Sequence, residues 1–232
     1  MRNPFARSKI VTLVCSIFAL SASIATAAPR DVQIVEVDFT TQVIELFNFG
    51  SSTEDLSGWQ FCSHDTAFIR RYTTPSGLNG VSIGPGQSIF VHLLSDAGGQ
   101  PGHIDRPPGD WADPMTPSAH GLEIYFTPVI FGNGNTIADH VQWSIDGIDN
   151  MVADERSDEA VVGGVWTDET EWVVTQADST SIMLIEAANG LVLHGPWDYT
   201  QVPEPGTAAM LTTGTLGLIG LARRRRPTLR RR

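Results

Sequence analysis

Apolar and polar positions alternate along most of the chain between residues 31 and 199, and that period predicts strands rather than helices. The run 43–61 (VIELFNFGSSTEDLSGWQF) shows it best. Val43, Ile44, Leu46, Phe47 and Phe49 form one apolar run, Gly50-Ser51-Ser52-Thr53 supplies turn chemistry, and Trp59-Gln60-Phe61 restarts the alternation. Two such runs around a turn predict a hairpin-like unit of an antiparallel sheet. Upstream, 31–39 reads as a first strand with Val35, Val37 and Phe39 on one face. Downstream, strands are predicted at 69–72, 88–94 (SIFVHLL), 122–126 (LEIYF) and 137–144 (IADHVQWS), with tight turns at 84–86, 132–135 and 146–147. Residues 95–120 are rich in Gly, Pro and Asp, with Trp111 the one aromatic ring, and read as a long surface loop. Residues 148–162 are acidic and read as a short helix or a loop. The stretches 161–166, 171–175 and 181–185 are β-prone, and 191–194 is a further candidate strand. The whole is long enough for one all-β domain with a real core.

The two ends follow another pattern. Arg2, Arg7 and Lys9 precede an apolar run at 10–20, and Ala25 and Ala27 place small residues where a signal peptidase reads. Residues 1–28 are therefore expected to be a signal peptide, cleaved after Ala27 or Ala28. At the other end Val202-Pro203-Glu204-Pro205 precedes an uncharged stretch at 206–222, followed by Arg223, Arg224, Arg225, Arg226 and three more arginines at 230–232. The prolines predict an extended tetrapeptide outside any strand pairing, open to a peptidase. As a helix, the uncharged stretch would span roughly 25 Å, near the thin end of a bilayer core. The arginines would hold its far end in the cytoplasm and leave the domain outside.

Charge sharpens the picture. The chain carries 15 Lys+Arg against 26 Asp+Glu. Between residues 28 and 202 there are only Arg30, Arg70, Arg71, Arg106 and Arg156 against 25 acids, a net charge of −20. Such a surface repels phosphate backbones and argues against nucleic acid as a partner.

Chemistry is sparse. Cys15 lies in the signal segment, which leaves Cys62 as the one mature thiol. His64 shares its face if the segment is a strand, so a Cys-His nucleophile is conceivable; a buried, inert cysteine is the favoured reading. No H-E-x-x-H, P-loop or C-x-x-C pair occurs. His64, His92, His103, His120 and His140 are scattered singly. His103 and Asp105, with Asp110 and Asp113, sit in the 95–120 loop without fixed ligand spacing, and Asp146, Asp149 and Asn150 lack the full pattern of a calcium loop. No catalytic residue, metal ligand or cofactor is assigned on this basis. Trp166, Trp172 and Trp197 read either as core anchors or as a stacking platform for sugar rings.

Two resemblances add to this. The runs IELFN (44–48), DLSGW (55–59) and GPGQSIFV (84–91), with Asp139, Val141 and Trp143 on a late strand, resemble the lamin-tail domain. That implies an immunoglobulin-like antiparallel β-sandwich over residues 29–147, matched from about 32 to 145. Residues 148–201 would be a β-rich extension of the same ectodomain, and the 95–120 insertion departs from the compact family pattern. The segment 202–232 resembles the PEP-CTERM sorting signal, read by an exosortase in certain Gram-negative bacteria. It implies an inner-membrane precursor cut near residues 202–205 and then released or attached at the cell surface, often in cells that build an exopolysaccharide matrix. The implied partners are signal peptidase, exosortase, the membrane before processing, and exopolysaccharide or other surface components. The first functional reading is a non-catalytic structural or adhesive surface protein. The alternative is an exported carbohydrate-active or other hydrolytic enzyme with a site in the 95–120 loop, built from His103, Asp105, Asp110 and Trp111.

Overall fold

A computed structural model describes residues 30–204 except 66–69, 106, 108, 110, 112–113, 146 and 148–155. The predicted signal peptide with Ala25 and Ala27, the end of the sorting motif at Pro205, the apolar span and Arg223–226 lie outside the described residues. So do Asp110, Asp113, Asp146, Asp149 and Asn150. Among the described residues no helix is long and apolar enough to cross a membrane.

The strands in chain order are β1 (Val32–Asp38), β2 (Val43–Asn48), β3 (Glu54–Asp55), β4 (Gln60–Asp65), β5 (Arg70–Tyr72), β6 (Ser82–Ile83), β7 (Ser88–His92), β8 (His103–Ile104), β9 (His120–Tyr125) and β10 (Ile137–Ser144). One short helix, α1 (Ser157–Gly163), then precedes β11 (Val173–Val174), β12 (Ser179–Leu184) and β13 (Tyr199–Pro203). Six strands form one sheet in the order β13-β12-β1-β2-β7-β8, and five form a second in the order β11-β10-β9-β4-β5. β3 and β6 make a small separate pair. The sheets share one apolar core in which Ile34, Ile44, Leu46 and Val91 of the first meet Phe61, Leu122, Ile124, Val141 and Trp143 of the second. The chain is all-β in architecture, as the alternation predicts.

Six expectations are corrected. The two runs of 43–61 are not a hairpin: β2 pairs with β1 and β7, whereas β4 pairs with β5 and β9 in the opposite sheet. The polar turn between them is a crossover, because burying both apolar faces favours two facing layers over one. In β1 the register shifts between Ile34 and Glu36, so Val32 and Ile34 enter the core before the bulge and Val37 after it, while Val35 is only half-buried. The 95–120 segment is no free surface loop. β8 runs parallel to β7, Trp111 and Met115 are in the core, and the buried Gln42 amide clamps Met115 through its main-chain N–H (2.7 Å) and carbonyl (2.8 Å). Residues 161–163 are helical, and 191–194 contribute only an isolated bridge between Trp166 and His194. Val202 and Pro203, finally, do pair, in register with Ser181 and Ser179 of β12. An edge position at the end of β13 tolerates the missing proline N–H.

The region after β10 completes both layers. β12 and β13 extend the first sheet beside β1, and α1 packs on β10 and on the turn at 134–136. That contact needs bare backbone on both sides: a Cβ on Gly134 would lie 1.9 Å from the Glu159 carbonyl oxygen, and one on Gly163 would lie 2.3 Å from the Gly134 carbonyl oxygen.

Candidate functional site

The strand register of the second sheet sorts its side chains into two faces. Ser63 lies opposite Leu122, and Leu122 opposite Val141, on the face turned to the first sheet. One residue along, Cys62 lies opposite Tyr72 and Glu123, and Glu123 opposite His140, on the other face. That second face is not solvated. Trp166 sets its ring edge-on to His140 at 5.2 Å, and Gln142 donates to the carbonyls of Glu169 (3.1 Å) and Glu171 (2.7 Å). Every residue of β4, β9 and β10 is consequently buried.

A polar row is thereby enclosed between sheet and cover. Cys62 Sγ is 3.3 Å from His64 Nε2, and Cys62 Sγ, a His64 ring nitrogen and a Glu123 carboxylate oxygen all lie within 4.8 Å of one another. Cys62 is buried, as expected, but its surroundings are not apolar. Glu123 is fully buried, and neither carboxylate oxygen receives a hydrogen bond; His140 Nδ1 approaches Oε1 to 3.1 Å without hydrogen-bond alignment. The Gln142 amide fixes the state of His140. Its N–H groups are committed to two carbonyls, so its oxygen accepts from His140 Nε2 at 3.1 Å, and that nitrogen carries the proton. In the neutral ring Nδ1 then presents a lone pair toward the carboxylate. Tyr125 stands on the same face, its hydroxyl held protonated first by burial and then by the nearby Glu123 and Cys62.

On the face toward the first sheet, Asp139 links the sandwich to its extension. It accepts the Ile34 N–H at 2.7 Å and lies 3.3 Å from His194 Nδ1. Burial disfavours the His194 imidazolium, but the Asp139 carboxylate, helped by Asp198 and the Ala188 carbonyl, outweighs it and raises the pKa. His120, also buried, is pushed down to about 4 by burial and by Arg71, against the pull of Asp65. Arg71 itself is paired with Asp65 at 2.7 Å.

The loop residues considered for an enzyme are engaged separately. His103 stacks on Phe90 and meets His92 Nε2 at 2.8 Å, Asp105 accepts the Ala97 N–H, and Trp111 is in the core. His92 and His103 border a cleft of about 290 Å³ with Glu36, Asp38 and Glu45. Burial and the Asp38 and Glu45 carboxylates raise the Glu36 pKa, against a lowering hydrogen bond from Ser181.

The three tryptophans of the extension divide. Trp166 is in the core with its indole N–H on the Glu171 carbonyl (3.1 Å), and Trp172 is buried. Trp197 is 84 % exposed. It sits with Trp172, Val174, Tyr199 and Gln201 around a cleft of about 470 Å³. The turn that presents it is tied by Asp198, whose carboxylate accepts the Gly195 N–H at 2.8 Å and whose own N–H bonds the Gly195 carbonyl at 3.0 Å. Indole spacing alone does not separate these three; only the packing of β11 and β13 does. Glu123, missed in the sequence, carried a signal in its placement inside the apolar run LEIYF, where a buried strand would enclose it.

The sorting motif begins inside the fold. The Val202 carbonyl accepts the Thr180 hydroxyl at 3.0 Å, and the Glu204 N–H bonds the Asp178 carbonyl at 3.1 Å, while Pro203 and Glu204 are exposed.

Comparison with known proteins agrees with this architecture. A family model for the lamin tail domain matches residues 25–194, which takes in the extension after β10 as well as the sandwich. A second, the PEP-CTERM protein-sorting motif, matches residues 201–226. Among solved structures, a DUF4876 family protein from Bacteroides thetaiotaomicron VPI-5482 is similar at 10% identity and a TM-score of 0.46, over 75% of this chain and 72% of that one. No curated protein matches the chain.

Proposed function

The chain belongs to the lamin tail domain family and ends in an exosortase sorting motif, and from that premise we propose that it is a non-catalytic adhesive protein of the cell surface or matrix. The motif marks an exported protein made as a membrane-anchored precursor. In this reading signal peptidase removes residues 1–28, the segment 206–222 spans the membrane with Arg223–226 on its cytoplasmic side, and exosortase cuts near 202–205. The domain then remains with surface exopolysaccharide. Trp197 carries the adhesive part: a large indole held in solvent beside a cleft is an interaction surface rather than a packing element. A planar ring over such a cleft suits the apolar face of a sugar, and the acidic surface suits a neutral rather than an anionic glycan.

Affinity electrophoresis through a gel containing exopolysaccharide from the producing cells tests it. The protein should be retarded, and Trp197→Ala should migrate freely while keeping its circular dichroism. Equal retardation of both proteins would refute the assignment to this cleft. For sorting, the mass of the protein recovered from the surface should end near 202–205; a mass retaining Arg223–226 would make the tail a plain anchor.

A further inference from the structure

The polar row beneath the extension has a property that the adhesive reading does not use. Glu123 is enclosed with two carboxylate oxygens that receive no hydrogen bond. A buried carboxylate without donors is strongly disfavoured, because it loses hydration and gains no hydrogen bond in return. The neighbour best placed to donate is His140, and its proton is drawn to the opposite nitrogen by Gln142. Around Glu123 stand His140 Nδ1, the Cys62 thiol and the His64 imidazole. Three ligand-type atoms gather at the carboxylate, and among the described residues no side chain donates a hydrogen bond to it.

We propose that Cys62 Sγ, His64 Nε2 and a Glu123 carboxylate oxygen bind a divalent transition metal of the zinc class, with His140 Nδ1 beside that carboxylate available for the fourth position. The ligand chemistry fits: thiolate, imidazole and carboxylate together select zinc over magnesium or calcium. Charge closes as well, since one thiolate and one carboxylate neutralise a dication. Geometry is near the required set. Ligand atoms around tetrahedral zinc are separated by roughly 3.2–3.8 Å, given metal–ligand bonds of about 2.0–2.3 Å. The sulfur–nitrogen distance is 3.3 Å, and the whole trio lies within 4.8 Å. Side-chain rotation of about an ångström would complete it. Binding releases the thiol proton to solvent and replaces the Cys62–His64 hydrogen bond by two metal–ligand bonds.

The supporting shell is already built. Gln142 accepts the His140 Nε2–H and so holds the ring with its other nitrogen facing Glu123, where a metal would sit. Burial on all sides leaves no open coordination place, so the site is structural rather than hydrolytic. Its ligands come from β4 and β9, with His140 on β10, and a metal there would clamp the middle of the second sheet.

The test uses the full chain without an affinity tag, in detergent, stripped with a chelator and titrated with Co²⁺ and then Zn²⁺. Expected are an intense near-ultraviolet thiolate-to-cobalt band saturating at one ion per chain, its bleaching by Zn²⁺, and a rise in Tm on reloading. Cys62→Ser should abolish the band, and Glu123→Gln should weaken Zn²⁺ binding by at least about tenfold. If either variant fails to fold, the stripped wild-type protein decides alone through the band and the Tm. Cobalt uptake without a sulfur band would place the ion elsewhere, for example at His92 and His103, and overturn the proposal. No uptake, or a Tm indifferent to Zn²⁺, would overturn it equally.

Discussion

Trp197 leaves 84 % of its surface in solvent, whereas Glu123, on the middle strand of the second sheet, leaves none. An exposed indole and an enclosed carboxylate each stand against the usual preference of their residue type. The costs differ in kind. The indole forgoes burial worth a few kcal/mol, while the carboxylate loses hydration and gains no donor in return. The first is relieved by any flat apolar partner arriving from outside, the second only by a proton or a cation held inside. The two proposals thus assign separate tasks to surface and interior.

The comparison is broken most severely by removing a side chain of the opposite sort. Trp143 is fully buried against Phe39 and His120, with its indole N–H on the Thr116 carbonyl at 2.8 Å. Trp143→Ala should lower stability by about 3–5 kcal/mol, read from urea midpoints at constant slope. If it costs no more than an exposed site would, the shared core of the two sheets is wrongly assigned. Asp139→Ala should cost less, about 1.5–3 kcal/mol, because it frees the Ile34 N–H and strands His194. Its signature is early proteolysis after β10, ahead of global unfolding.

Titration sharpens the contrast between interior groups. His194 has a raised pKa, so its contribution is full below about pH 6.5 and is lost as pH rises through the folded value. His120 behaves oppositely: depressed to about 4, it contributes fully above about pH 6.5 and its share is lost as pH falls toward 4. Stability measured against pH should therefore fall on both sides of a maximum near neutrality. His194→Gln should flatten the alkaline limb and His120→Gln the acid limb; the reverse assignment would contradict the two environments. The smallest effect belongs to the surface. Trp197→Ala should change stability by less than about 0.5 kcal/mol while removing glycan retention. A large stability loss there would make Trp197 a packing residue after all.

Much of this protein was legible as a pattern. β10 occupies 137–144 as the alternation predicts, and β7 and β9 fall within two residues of their expected positions, because strand period is a local property of φ/ψ geometry. The sorting tail is equally local, since composition and order define it without any contact. The misreadings share another cause. A hairpin and a crossover have the same turn residues, so 43–61 does not reveal that β2 and β4 lie in different sheets. The bulge that ejects Val35 is set by pairing with β2, and the pairing of Val202 and Pro203 depends on β12.

The candidate site shows the division most clearly. QFCSHD and HGLEIY alternate as strands with one wet face would, and the sequence by itself determined that Cys62, His64 and Glu123 are each placed to share a face with its own strand's polar neighbours. Which strand lies beside which, and whether that face meets water, was decided by tertiary structure. β9 paired with β4, and the segment after β10 packed against β10, burying its own apolar residues Val165, Trp166 and Val173 in the core. Enclosure changes the chemistry of the same three side chains. In water they would be solvated separately; buried, they lie within 4.8 Å of one another, where each depends on the polar atoms around it.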